Sequence, residues 1–110
     1  MKIIKVEVNK KPEVVEIDGS LESMQKIVGG YIETVTTKDK NGNTICIVLN
    51  EEGKLLELPQ NRMIVRNGIT IDYIVGNFFI CGIGEDDLES LTETQIEDIK
   101  KMFIGNTFNL

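Results

Sequence analysis

The stretch Thr44-Ile45-Cys46-Ile47-Val48-Leu49 decides the fold, because it is apolar at nearly every position. A strand with one face in water alternates apolar and polar residues, whereas a continuous apolar run of this length predicts a strand that is covered on both faces. The remaining chain must therefore supply covering elements for both sides of a sheet.

The first covering element is a short amphipathic helix after residue 20. Ser20 is a favourable N-cap residue, and Gly29-Gly30 ends the helix because glycine adopts the left-handed C′ conformation without steric cost. The apolar residues that we expect on its buried face are Leu21, Met24, Ile27 and Val28.

The second covering element is a C-terminal amphipathic helix. Thr92-Glu93-Thr94-Gln95 is a capping box, with Thr92 as N-cap and Gln95 three residues later. We expect Gly105 to end this helix. The apolar residues predicted on its buried face are Ile96, Ile99, Met102 and Phe103.

The strands predict an α+β fold with a mostly antiparallel sheet of about six strands, in the order ββα, four or five strands, then α. The segment 2–17 indicates a hairpin, and Asn67-Gly68 indicates another. The other predicted strands are Tyr31–Thr37, Thr44–Leu49, a short one at Lys54–Leu58, and Phe78–Gly82. At 110 residues we expect one domain, residues 1–105. Residues 106–110 are expected to trail as a tail, with docking of Phe108 and Leu110 as the alternative.

Composition and charge exclude several classes. No stretch approaches the roughly 20 apolar residues that a membrane helix needs, so no membrane association is expected. Twelve lysines and arginines against eighteen acids give a net charge of −6, which disfavours direct nucleic-acid binding. Lys10-Lys11 and Lys100-Lys101 are isolated pairs, typical of solvated charges.

The acidic residues are concentrated near the C-terminus, in a segment without lysine or arginine. One interpretation is a solvated helix and its approach loop, with acids favoured at the helix N-terminus. The other is an acidic surface that meets a basic partner or imitates nucleic acid. The seven residues are Glu85, Asp86, Asp87, Glu89, Glu93, Glu97 and Asp98.

Histidine is absent, which excludes a Ser-His-Asp triad and imidazole ligation of zinc. Cys46 and Cys81 lie among apolar neighbours and are expected to be buried thiols. We expect no metal and no cofactor. Because the N-terminus leads directly into a strand pattern without a secretory signal, a reducing cytoplasm is the expected setting.

The most suggestive polar pair is Asn61-Arg62, which follows Leu58-Pro59. Arginine presents a rigid fork that suits a carboxylate or a phosphate, and the alternative is an internal salt bridge. Glu33 and Asp72 each lie among apolar residues of a predicted strand, where they either face solvent or contact a ligand.

Several short motifs together resemble a family of small uncharacterised domains, a domain of unknown function carried by phages, plasmids and conjugative elements of Gram-positive bacteria. The similarity covers roughly residues 1–103 and implies a cytoplasmic accessory protein, with no catalytic residue or substrate to transfer. The matching positions are Gly30, Tyr31, Glu33, Asn50, Gly53, Lys54, Pro59, Asn61, Arg62, Gly76 and Phe79.

Three functions remain open at this point. The leading hypothesis is a non-catalytic binding module for a host protein or a small ligand. The second is an acidic nucleic-acid mimic that inhibits a host enzyme, and the third is a small enzyme that uses Glu33 or Asp72 with Arg62 on a nucleotide-like ligand. The edge strands of a small sheet favour pairing, so a homodimer is also expected. The ligand-binding candidates are Tyr31, Glu33, Asn50, Asn61 and Arg62. The structure must show whether Tyr31, Glu33, Asn61 and Arg62 share one concave surface, as a ligand site requires.

Overall fold

The computed structural model describes residues 1–110 and contains two helices and ten strands. The helices are α1, Leu21–Val28, and α2, Glu93–Met102. The strands are β1 (Lys2–Val6), β2 (Glu13–Glu16), β3 (Ile32–Lys38), β4 (Thr44–Asn50), β5 (Gln60–Arg66), β6 (Ile69–Val75), β7 (Phe78–Ile83), β8 (Leu88–Glu89), β9 (Phe103–Ile104) and β10 (Thr107–Asn109).

The strands form two sheets. The first sheet has six strands in the order β2-β1-β7-β4-β3, with β8 paired beside β7, and all of its pairs are antiparallel. The second sheet has the order β6-β5-β10-β9, and β5 with β10 is its parallel pair. The predicted α+β class, the mostly antiparallel pairing and the positions of both helices are confirmed.

Strand β4 is covered on both faces, as its sequence predicts. Cys46 and Val48 pack with Met24 and Val28 of α1 on one side. The opposite face packs against α2 and the second sheet in a larger core, whose members include Ile45, Ile47, Ile64, Ile74, Ile96, Ile99 and Phe108. One helix therefore covers the first face, while a helix and an unforeseen second sheet share the other.

The predicted helix starts are confirmed. The Ser20 hydroxyl accepts a hydrogen bond from the Ser23 amide at 3.1 Å. In the capping box, the Thr92 hydroxyl accepts from the Gln95 amide at 3.1 Å, and the Thr92 amide donates to the Gln95 side chain at 2.8 Å. Leu21 departs from the prediction, because it is 57% exposed at the first turn of α1.

Two sequence predictions about local structure are wrong. The segment Lys54–Leu58 is a series of turns, in which the Leu56 amide donates to the Glu52 carbonyl and the Leu58 amide to the Gly53 carbonyl. Because these hydrogen bonds are local, the segment does not pair with another strand. Gly105 does not end α2, since the helix stops at Met102 and the chain passes directly into β9.

The last residues dock rather than trail. Strand β10 pairs with β5, and the Leu110 amide donates to the Val65 carbonyl at 2.8 Å. Phe108 is fully buried and stacks on Phe103, with ring centroids 4.5 Å apart. The alternative in which Phe108 and Leu110 dock is therefore the one that the structure shows. Neither helix has the length and apolar character needed to cross a membrane.

Replacement of Phe108 by alanine is expected to destabilise the protein by about 3–5 kcal/mol, because it empties a large space in the main core. Urea unfolding followed by circular dichroism measures this change. Ile104→Ala is the matched control, since Ile104 is 68% exposed on the neighbouring strand, and its cost is expected within about 0.5 kcal/mol. Equal costs for the two variants would contradict the docked position of β10.

The two cysteines are free, fully buried and opposite each other on β4 and β7. The hydrogen bond with Cys46 and the burial of the site raise the pKa of the Cys81 thiol. Because both thiols are fully buried, a reagent in solution does not reach them. We therefore expect an aromatic disulfide reagent to label neither cysteine in the native protein and both in urea. Rapid labelling of either thiol without denaturant would contradict this packing.

Candidate functional site

Asn61 is a buried amide that connects the two sheets. Its side-chain nitrogen donates to the Val6 carbonyl at 2.9 Å and to the Gly76 carbonyl at 2.8 Å. These carbonyls lie at the end of β1 and just after β6. Both amide hydrogens are thereby used, and the orientation of the side chain is fixed with its oxygen free to accept from a further donor.

That donor is Arg62, whose side chain is only 7% exposed. One guanidinium nitrogen donates to the Asn61 side-chain oxygen at 2.8 Å, and the other donates to the Lys10 carbonyl at 2.7 Å. The guanidinium carbon lies 5.9 Å from the centre of the Phe103 ring, within the range of a cation–π contact. The Nε atom is buried and has no hydrogen-bond partner.

The guanidinium of Arg62 has only neutral acceptors. No carboxylate lies within 4.0 Å of it, since the ion pairs of the chain join other residues. Burial accordingly lowers the pKa of Arg62. The internal salt bridge that the sequence offered as an alternative is not formed, so this side chain is a buried cation without a counter-ion.

Arg62 lies in the wall of an open concavity of about 660 Å³, which we call the basic pocket. Its lining contains four cationic side chains and no carboxylate, although the chain as a whole carries a net charge of −6. Glu7 is the acid nearest to one of these cations, with its carboxylate 3.8 Å from the Lys10 ammonium. The lining residues are Asn9, Lys10, Lys11, Pro12, Asn61, Arg62, Lys100, Phe103, Gly105 and Asn106.

The lysines of this pocket were missed by the sequence interpretation, which assigned them to solvent as isolated pairs. Lys10 and Lys11 belong to the β1–β2 turn, whereas Lys100 lies in the last turn of α2. The fold brings these distant segments to one surface beside β5. No local pattern signals this convergence, because it depends on how α2 and the second sheet pack.

A second concavity lies between the two sheets, where β3 and β4 face β5 and β6. This inter-sheet cleft has a volume of about 280 Å³, and ten of its sixteen lining residues are hydrophobic. At its rim the Lys54 ammonium lies 2.9 Å from the Asp72 carboxylate and 4.3 Å from the centre of the Tyr73 ring. The hydrogen bond to Asp72 raises the pKa of Lys54, but both groups are exposed and such pairs contribute little to stability.

The five candidate ligand-binding residues do not line one concavity. Glu33 and Asn50 line the inter-sheet cleft, and Asn61 and Arg62 line the basic pocket. Tyr31 is 66% exposed and lines neither concavity. Asn61 and Arg62 belong to β5 of the second sheet, whereas the other three positions lie on or beside β3 and β4 of the first sheet.

The residues that the enzyme hypothesis combines are also separated from one another. Glu33 and Asp72 are both exposed at the inter-sheet cleft, whereas Arg62 lines the basic pocket. The carboxylates and the guanidinium that the enzyme hypothesis combines therefore belong to different concavities.

Asn50 has a structural role at the end of α1. Its side-chain nitrogen donates to the Val28 carbonyl at 3.1 Å, and its oxygen accepts from the Glu52 amide at 2.8 Å. A Cβ atom on Gly30 would lie 2.9 Å from the Asn50 side-chain nitrogen, closer than packing allows. Both positions belong to the motif set, and their contacts hold the helix end against the β4 turn.

The acidic segment is spread over a loop and one helix. Glu85, Asp86 and Asp87 are exposed between β7 and β8, and Glu97 is exposed on α2. Of the remaining acids, Glu89 is exposed on β8, Asp98 is half-buried on α2, and Glu93 pairs with Lys2 at 2.8 Å. One of the seven carboxylates thus has an ion-pair partner within the chain.

A family model described as Domain of unknown function (DUF3846) matches residues 1–104. The chain belongs to this family. The DUF3846 match confirms that the resemblance seen in the sequence concerns a domain of unknown function, and it covers the first sheet, both helices, β5, β6 and β9. The comparisons with curated proteins and with solved structures found no match.

Asn61→Ala is expected to cost at least about 2 kcal/mol of unfolding free energy, because two buried carbonyls and the Arg62 guanidinium lose their partner together. Urea unfolding measures the cost. Asn106→Ala is the matched control in the same pocket, since its side chain is exposed, and it is expected within about 0.5 kcal/mol of the unmodified protein. A neutral effect of Asn61→Ala would mean that this amide does not hold the two sheets together.

Proposed function

We propose that this DUF3846 domain is a non-catalytic binding module that takes a small phosphate-bearing anion in the basic pocket. The observation that carries the proposal is the Arg62 guanidinium, which is buried and contacts only neutral acceptors. A buried charge is costly unless an opposite charge accompanies it. Since no carboxylate of the chain reaches Arg62, a ligand is the natural source of that charge.

The surroundings of Arg62 favour a multiply charged ligand. Lys11 and Lys100 line the pocket on flexible side chains and have no ion-pair partner within 4.0 Å. Ammonium and guanidinium groups form their strongest hydrogen bonds with phosphate and carboxylate oxygens. Several converging cations match the two or more charges of a phosphate better than the single charge of one carboxylate.

The size of the pocket supports a small molecule. A volume of about 660 Å³ lies within the range of roughly 300–1,000 Å³ that is typical of ligand sites. The polar groups of the lining are ammonium, guanidinium and amide, which bind and orient an anion. A carboxylate or thiol that would act as a general base is not among them, which favours binding over catalysis at this surface.

The biological setting in this proposal comes from the resemblance alone. It comprises an accessory role for a phage, plasmid or conjugative element and a cytoplasmic location. The nucleic-acid mimic stays a prediction of the sequence, and the pairing of Glu93 with Lys2 removes one carboxylate from the surface that it would use.

Isothermal titration calorimetry with inorganic pyrophosphate as the ligand tests the proposal. We expect saturable binding that weakens as sodium chloride is added, because exposed charges are screened. Lys11→Gln and Lys100→Gln are each expected to weaken binding about tenfold, the ratio to which a loss of 1.4 kcal/mol corresponds. Both side chains are exposed, so these variants are expected to fold normally.

Lys26→Gln is the control. Lys26 is exposed on α1, so this substitution removes the same charge at a position away from the pocket. Binding that is unchanged by the pocket variants would place the site elsewhere, and equal weakening by all three variants would show a nonspecific charge effect. Either result would refute the site. The absence of binding to pyrophosphate at millimolar concentration would refute the phosphate class.

A further inference from the structure

Five strands of the two sheets have a free edge, and four of them are protected against pairing with another chain. Natural edges avoid pairing by being short, charged or irregular. Strands β8 and β9 have two residues each, and β2 has four with a glutamate at each end. Strand β6 is longer, but its register with β5 is interrupted and Asp72 lies at its centre.

The fifth edge, β3, is long and regular, and its two charged residues, Glu33 and Lys38, lie outside its centre. It has seven residues in unbroken register with β4, and its segment Thr34–Thr37 carries neither a charge nor a proline. The side chains of Thr34, Val35 and Thr36 are exposed, and Val35 is 41% exposed. A long, regular edge with an uncharged centre is a template for an added strand.

The backbone groups of β3 that point outward can be identified from its ends. The Tyr31 carbonyl accepts from the Glu51 amide at 2.9 Å, and the Asp39 amide donates to the Asn43 carbonyl at 3.0 Å. Because bonding alternates along an antiparallel strand, the odd-numbered residues bond to β4. The amides and carbonyls of Thr34 and Thr36 therefore point away from the sheet and have no partner in the chain.

We propose that β3 pairs antiparallel with β3 of a second copy of this chain, in a register centred on Val35. In this register each Thr34 lies opposite Thr36 of the other copy, so that the outward amides and carbonyls of both threonines pair. Glu33 lies opposite Thr37, and Lys38 lies opposite Ile32, so no like charges face each other. The strand is thus complementary to itself under a two-fold axis, which is the requirement for a closed dimer.

Arg66 limits the pairing at one end of the strand. Its guanidinium donates to the Thr37 hydroxyl at 2.8 Å and to the Lys38 carbonyl at 3.2 Å. The new ladder is therefore centred on Thr34–Thr36. This interface lies on the free edge of the first sheet, and the inference does not depend on anion binding in the basic pocket.

Sedimentation equilibrium of the full chain from about 5 to about 500 µM tests the inference. We expect the mass to rise with concentration from 12.4 kDa towards twice that value. Thr34→Pro is expected to keep the protein monomeric, because proline removes an outward-pointing amide and leaves the bonds to β4 intact. Glu16→Pro is the matched control on the other edge of the same sheet, and it is expected to dimerise normally.

If the Thr34→Pro variant unfolds, amide hydrogen exchange of the unmodified protein tests the same interface without a substitution. The Thr34 and Thr36 amides are expected to exchange at least about tenfold more slowly at high than at low concentration, because only the dimer protects them. A monomer at every concentration would overturn the inference. A dimer in which these amides remain unprotected would place the interface elsewhere, on another strand or in the inter-sheet cleft, and would overturn it as well.

Discussion

Strands β4 and β7 carry apolar side chains on both faces, and the rest of the architecture follows from the need to cover them. Helix α1 covers one face, but a helix of eight residues is short and is stable mainly through that packing. The other face is too wide for α2 alone. The second sheet completes this layer, and β10 contributes Phe108 to the same core.

Where the two sheets meet, polar backbone groups are buried, and the Asn61 side chain hydrogen-bonds to them. The Asn61 amide donates to the backbone carbonyls at the end of β1 and just after β6, and so joins the two sheets. The oxygen of the same amide fixes Arg62, whose charge is left without a counter-ion inside the protein. The structural junction and the candidate binding site therefore share one side-chain pair, and a ligand that neutralises Arg62 would also stabilise the contact between the sheets.

Much of the fold was predictable because its signals are local. The capping box at Thr92, the stop at Gly29 and the continuous apolar run in β4 act within a few residues of themselves, and the structure confirms each. The second sheet was not predictable, because its parallel β5–β10 pair joins segments about forty residues apart. The functional residues follow the same division, since Asn61-Arg62 stood out as an adjacent polar pair, whereas Lys100 reaches the pocket only through the packing of α2.

The central claim is that the native protein holds an anion beside Arg62. Its most direct test is the free energy of unfolding by urea as chloride is replaced by phosphate at constant ionic strength. A ligand that binds only the native state stabilises it, so the free energy should rise with phosphate concentration in the unmodified protein. In a Lys11→Gln, Lys100→Gln double variant this rise should be largely lost, leaving the general effect of phosphate on solvent. An equal rise in both proteins would contradict the account.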